Sequence, residues 1–189
     1  MKRIAILASG SGTNAENLIR FFRTHPSGRV EIVLTNNPGA GVIKRSESLN
    51  VETVVFSKDQ FYKSEKIVDL LKEREIDLLV LAGFLWLVPP ALIREFNGRI
   101  INIHPALLPL YGGKGMYGSH VHKEVVANGD TESGISIHHV NEEYDEGSII
   151  FQAKCEVREG DNPEILAARI HVLEYEHFPK VVEKLLDEL

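Results

Sequence analysis

Cysteine is almost missing from this chain: Cys155 stands alone among 189 residues, so no internal disulfide can form and stability has to come from a buried core. Long apolar runs are missing as well. No stretch approaches the ~20 consecutive apolar residues of a membrane span, and no basic leader with an apolar centre precedes the first hydrophobic segment. The expected setting is therefore the cytoplasm, with no membrane partner. Positive charge is in short supply, since 21 Lys and Arg face 27 Asp and Glu for a net charge of -6. That balance excludes the broad basic footprint of a nucleic-acid binder but leaves room for one small phosphate site. Metal-ligand patterns are poor too. The 8 histidines show no good helical i, i+4 ligand pair alongside an acidic partner, and His120 and His122, two apart, fall on different helix faces, so no metal is expected.

What the chain has is a regular alternation of strand-like and helix-like segments. Lys2 to Ala8, Val30 to Thr35, Val51 to Phe56 and Ile76 to Ala82 read as strands, the last almost wholly apolar as a central parallel strand should be. Between them lie helical patterns carrying Leu18, Ile19, Phe21 and Phe22, then a short helix ending near Leu49, then one helix from Lys58 to Glu73. A further helix starts at Pro89 or Pro90, and Ser119 is placed as the cap of a helix reaching Asn128. Gly134 to Val140 and Ser148 to Ala153 read as an antiparallel extension of the sheet. Asp161-Asn162-Pro163 opens a last helix whose core positions are expected at Ile165, Leu166, Ile170, Leu173, Val181 and Leu185. This alternation predicts an α/β fold with a doubly wound, mostly parallel, Rossmann-like sheet, helices on both faces and an antiparallel C-terminal extension. The length suits a single domain over 1–189, with no linker or repeat to divide it.

Chemistry-bearing residues sit where the strands end. Ile100-Ile101-Asn102-Ile103-His104-Pro105 is a buried strand that sets an amide and an imidazole on one face before proline stops it. An open α/β sheet places its chemistry at such strand ends, although a core histidine and a turn-capping Asn would give the same letters. The first strand runs into Ser9-Gly10-Ser11-Gly12-Thr13-Asn14 and then a helix, an arrangement in which backbone N–H groups and the helix N-terminus suit a phosphate. It is neither a Walker loop nor a full G-x-G-x-x-G, and a tight turn with Thr13 or Asn14 as N-cap is the plain alternative. Gly83 to Pro90 is an apolar loop carrying the only tryptophan, fit either to wall a flat heterocycle or to pack beneath the next helix. Tyr111 to Gly118 holds four glycines with Lys114 and Tyr117 among them, the composition of a lid over the neighbouring site. Asp145-Glu146-Gly147, taken alone, is turn chemistry.

Taken together, Ser9 to Asn14, Leu81-Ala82-Gly83-Phe84, Asn102-x-His104-Pro105 with Leu107-Leu108-Pro109, Gly134 to His138, and Asp145 with Gly147 closely resemble the folate-dependent phosphoribosylglycinamide formyltransferases. The resemblance covers nearly the whole chain. It implies the formyltransferase fold, with a nucleotide- and phosphate-binding half at 1–100 and a catalytic and folate-binding half at 101–189. It assigns catalysis to Asn102, His104 and Asp145, and binding of glycinamide ribonucleotide to Gly12, Thr13, Asn14, His171 and Glu174. It lays the folate along Leu85, Trp86, Leu87 and Val88, with Asn102, Asn141 and Asp145 completing that site. The implied cosubstrate is 10-formyltetrahydrofolate, without a metal. Trp86 departs from the Arg often found there in such relatives, Ala106 stands where Ser is common, and the glycine-rich loop is a few residues longer.

The implied reaction is formyl transfer: an amine attacks the formyl carbon, and a tetrahedral carbon bearing an oxyanion forms. Asn102 and an N–H-bearing His104 would stabilise that oxygen, and Asp145 would raise the proton affinity of His104. A formyltetrahydrofolate deformylase would use the same three residues with water as acceptor, but would have no use for a phosphate loop. A non-catalytic nucleotide-binding module would leave Asp145 unexplained.

Overall fold

The computed structural model describes residues 1–189. Its strands are β1 (Lys2–Leu7), β2 (Gly28–Thr35), β3 (Glu52–Val55), β4 (Leu78–Leu81), β5 (Ile100–His104), β6 (Glu132–His139) and β7 (Ile149–Glu156). They form one seven-stranded sheet in the order β3-β2-β1-β4-β5-β6-β7. The first five are parallel neighbours, β6 runs antiparallel to β5, and β7 antiparallel to β6. This is the doubly wound sheet with an antiparallel extension that the alternation predicts.

Seven helices cover the two faces: α1 (Thr13–Phe22), α2 (Gly41–Ser48), α3 (Lys58–Tyr62), α4 (Lys66–Glu73), α5 (Pro90–Glu95), α6 (Ser119–Ala127) and α7 (Pro163–Glu188). Alternate residues of one strand serve opposite faces, because successive strand side chains point oppositely. Ile4 and Ile6 enter one core with Leu18, Phe22, Val42, Val121, Ile170 and Phe178 from α1, α2, α6 and α7. Ala5 and Leu7 enter the other with Phe61, Leu71 and Leu92 from α3, α4 and α5, and with Phe96 at the end of α5. β1 and β4 are adjacent although two elements of the sheet lie between them in sequence, so the chain's winding direction reverses there. The C-terminal edge at such a reversal is where an open α/β sheet leaves a crevice for a ligand.

Three local expectations are corrected. Lys58 to Glu73 is two helices, because the Ser64 hydroxyl donates to the Gln60 carbonyl at 3.0 Å and competes with the helical ladder at the break. Gly118, not Ser119, is the N-cap of α6, and Ser119 is its first helical residue. On α7 the buried stripe is Leu166, Ile170, Glu174, Phe178, Val182 and Leu186, while Ile165 is 43% exposed and Leu173, Val181 and Leu185 are only partly covered. The helix carries two adjoining apolar stripes, and packing on α1, α6, β6 and β7 selects one of them. The selected stripe includes a glutamate.

Candidate active site

A cavity of about 580 Å³ opens along the C-terminal edge of β1, β4 and β5. Its floor is built by three consecutive loops. After β1, Gly12 takes a left-handed conformation (φ 77°) and acts as N-cap of α1, with no side chain capping the helix. A side chain at Gly12 would be strained by that φ and would meet Val42 at 2.5 Å, so the close turn requires glycine. Thr13 and Asn14 are therefore the first helical residues, which corrects the expectation of either as the cap. The first-turn N–H groups are left facing the cavity mouth without a side-chain acceptor, the condition for binding an anion. Arg45 braces the loop by donating Nε–H to the Ser11 carbonyl at 2.9 Å.

The side chain of Asn14 has a different use. Its Nδ2 donates to Glu174 Oε2 at 2.9 Å across the α1–α7 contact, while its Oδ1 is buried without a donor. Glu174 is 6% exposed, and burial pushes its carboxyl up to about 7, opposed only by that one hydrogen bond. Glu174 and His171 both line the cavity. The expected nucleotide-binding set of Gly12, Thr13, Asn14, His171 and Glu174 is thus brought to one end of one cavity.

At the other end, Asn102 and His104 leave β5 as expected, and the loop after β6 returns Asp145 to them. Asn102 Nδ2 donates to Asp145 Oδ1 at 3.3 Å, and His104 Nδ1 lies 3.6 Å from Asp145 Oδ2. Asp145 adopts a left-handed conformation (φ 57°), as does Tyr111 (φ 56°), and these two strained positions grip the histidine from either side. His104 Nε2–H donates to the Tyr111 carbonyl at 2.7 Å, and Gly113 N–H donates to Asp145 Oδ2 at 3.0 Å. The glycine-rich loop is therefore tied to both catalytic candidates. Burial lowers the pKa of His104, and Asp145 and the Tyr111 carbonyl only partly restore it against the further lowering by His138. The net effect is a neutral, N–H-bearing imidazole near pH 7. Asp145 acts upward on the proton affinity of His104, as expected, but burial outweighs it. For Asp145 burial acts upward, but His138, His104 and the Gly113 N–H outweigh it, so the carboxylate lies below its usual range.

Sequence reasoning missed His138. Its position on β6 is directly opposite Asn102 in the antiparallel register, its Nδ1 donates to the His139 carbonyl at 2.8 Å, and its Nε2 accepts from Asn102 Nδ2 at 3.1 Å. The signal was an antiparallel partner strand, but nothing in the letters fixes which residue meets Asn102. Ser136, opposite His104, was missed for the same reason. Its buried hydroxyl donates to the Ala106 carbonyl at 2.7 Å and accepts from Leu108 N–H at 2.9 Å, bracing the segment that follows the histidine.

The apolar wall comes from the loop after β4, where Leu85, Trp86, Leu87 and Val88 all line the cavity. Trp86 also belongs to an aromatic cluster, with ring centroids 6.0 Å from Phe56, 5.9 Å from Phe61 and 5.9 Å from Tyr62. The indole packs on these rings on one side and lines the cavity on the other. Asn141 is placed outside the wall: its Oδ1 accepts from Glu143 N–H at 3.0 Å and shapes the turn. Val140, Glu143 and Tyr144 line the cavity in its stead.

Comparison with known proteins agrees with this geometry. Residues 2–182 match the family model described as Formyl transferase. The chain is 38% identical to the chloroplastic phosphoribosylglycinamide formyltransferase of Arabidopsis thaliana over 99% of its own length and 66% of that protein's, so it spans just under two thirds of this relative. It is 34% identical to the phosphoribosylglycinamide formyltransferase of Haemophilus influenzae, over 97% of this chain and 86% of the other. The crystal structure of glycinamide ribonucleotide transformylase 1 from Geobacillus kaustophilus superposes with a TM-score of 0.88 at 38% identity, covering 98% of this chain and 99% of that one. A family match over residues 2–182, with superposition on a solved transformylase over 98% of this chain, means that this chain belongs to the formyl transferase family.

Proposed function

We propose that this protein transfers the formyl group of 10-formyltetrahydrofolate to the amine of glycinamide ribonucleotide, a step of purine biosynthesis. The observation that carries the reading is the joining, in one cavity, of an uncapped helix N-terminus with the Asn102, His104 and Asp145 cluster. A formyl acceptor with a phosphate at one end and an amine at the other uses both. Water as acceptor would use only the second.

In this reading Gly12, Thr13 and Asn14 hold the phosphate through backbone N–H groups, and His171 and Glu174 face the ribose. The folate lies against Leu85 to Val88 and the turn that Asn141 shapes, with Asn102 and Asp145 at its reacting end. Residues 1–100 then supply the phosphate end and 101–189 the catalytic end. Asn102 donates Nδ2–H to the oxygen that gains charge as the amine attacks, and His104 joins it as a donor once it takes up the amine's proton through Asp145. The 3.3 Å bond from Asn102 to Asp145 is the long one of its two and is the one exchanged for that oxygen. Asp145, ionised at neutral pH, receives the proton that the attacking nitrogen loses and passes it, with His104, toward the departing folate nitrogen.

The test is direct product analysis. Purified protein with 10-formyltetrahydrofolate should consume it only when glycinamide ribonucleotide is added, yielding tetrahydrofolate and the formylated nucleotide in equal amounts. Release of formate at full rate without an amine would replace this reading with a deformylase.

A further inference from the structure

His122 is the one buried histidine of the cavity that nothing in the protein satisfies. It sits on α6 with Val121 and Val125, is 3% exposed, and lines the same cavity as His104, His171 and Glu174. His104 and His138, equally buried, each have hydrogen-bonded partners; Nδ1 of His122 is sealed from solvent and has none. An unsatisfied buried polar atom costs about 1–3 kcal/mol, so the core alone gives no reason for a histidine here. Sealing Nδ1 also fixes the tautomer. A sealed N–H without an acceptor is worse than a sealed lone pair, so the ring proton belongs on Nε2, the nitrogen left with access to the cavity. Burial, with His171 and His104 as neighbours of like charge, pushes the ring down to about 4, so it stays neutral.

Position then limits what this N–H can meet. The two groups that act on His122 electrostatically are His104, at the reaction centre, and His171, at the nucleotide end. Between the reacting amine and the ribose, the acceptor substrate has a short amide whose carbonyl oxygen is the only strong acceptor. Resting on the function proposed above, we propose that His122 is a substrate-positioning residue whose Nε2–H donates to the amide carbonyl of the glycinamide segment and so aims the amine at the formyl carbon. A neutral donor suits this task, because an imidazolium beside the amine would compete with it for the proton-accepting groups of the reaction centre.

The experiment compares wild type, His122→Phe and His122→Gln by steady-state kinetics with both substrates varied, beside thermal melting and a side-chain ¹⁵N spectrum of the wild type. His122→Phe should lose about 10- to 100-fold in kcat/KM for glycinamide ribonucleotide, the loss expected for one hydrogen bond to a buried acceptor. Its KM for the formyl-folate should stay within about twofold, and His122→Gln, which keeps an N–H donor of similar reach, should recover most of the loss. The spectrum should report the neutral Nε2–H tautomer at pH 7. The proposal is overturned by an unaltered His122→Phe, by an equal loss toward both substrates, by a His122→Gln no better than Phe, or by an Nδ1–H or charged ring. If His122→Phe does not fold, the Gln variant and the tautomer decide. Failure of the wild type to formylate the nucleotide at all would instead remove the functional reading beneath it, and is seen before any variant is made.

Discussion

Asp145 shows how much one side chain is asked to do at this site. It accepts from Asn102 and Gly113, faces both His104 and His138, and is held at a positive φ to do so. Asp145→Asn keeps the size and removes the charge that draws a proton to His104, so the already lowered pKa of His104 falls further. The acidic limb of the pH–rate profile, set by the pair as a unit, should move to lower pH, with turnover down about 10²- to 10⁴-fold, the range of a lost general acid–base group. Folate affinity measured by calorimetry should hardly change. Wild-type turnover with an unmoved limb would take Asp145 out of proton transfer. Asn102→Ala and His104→Ala, each removing a donor to the developing charge, should lower kcat about 10²- to 10³-fold while the melting temperature holds.

At the scale of elements, the site depends on how β5 is continued and on how α1 begins. The Ser136 hydroxyl bridges Ala106 and Leu108 within a fully buried position, and Gln152 Nε2 donates to it at 2.7 Å. Ser136→Ala leaves the Leu108 N–H and the Ala106 carbonyl unpaired, so unfolding free energy should fall by about 1–3 kcal/mol in denaturant titrations. Since that segment leads to Tyr111, whose carbonyl holds His104, kcat should fall with it. A stable variant of reduced kcat would separate the two effects. For α1, Thr13→Asp is the clean probe of the phosphate site, because a carboxylate in the first turn occupies the free N–H groups and repels an anion. Asn14→Asp is less clean, since it would set a second carboxylate beside buried Glu174. Thr13→Asp should raise KM for glycinamide ribonucleotide at least about tenfold and leave the folate KM alone. An unchanged nucleotide KM would mean that the phosphate sits elsewhere.

For the whole molecule, two buried groups pull stability in opposite directions with pH. Glu174 has its carboxyl raised from 4.5 to about 7, so the folded state holds a proton that the unfolded chain has released. Its contribution is fully present below pH 4.5 and is lost as pH rises through about 7. His122 is lowered from 6.5 to about 4, so its contribution is present above 6.5 and is lost as pH falls toward 4. Glu174→Gln, which can still accept from Asn14, should therefore be more stable than wild type at pH 8 by about 3 kcal/mol and nearly equal to it at pH 4.5. Thermal melts at the two pH values check this, and the same difference at both would mean that Glu174 is not protonated by burial. The variant should bind the nucleotide less well, as expected if that carboxylate is retained for a ligand at a cost in stability.

The sequence by itself determined the architecture and the placing of Asn102 and His104 at a strand end, whereas Asp145 stood out only through the resemblance to a family. Periodicity is written in consecutive letters, and Asn102, His104 and the loop at Ser9 to Asn14 are fixed to strand ends by Pro105 and Gly12, which act on their immediate neighbours. Tertiary structure alone decided whatever depended on register or on choosing between equivalent faces. His138 meets Asn102 because β6 pairs with β5 in one alignment of several that its apolar pattern permits. Glu174 is buried because α7 turned one of two apolar stripes inward, and Asn14 spends its side chain on Glu174 instead of capping α1. His122 lines the same cavity as His104 and His171 only because the glycine-rich loop returns α6 to the crevice, a contact between residues distant in sequence that no local pattern records.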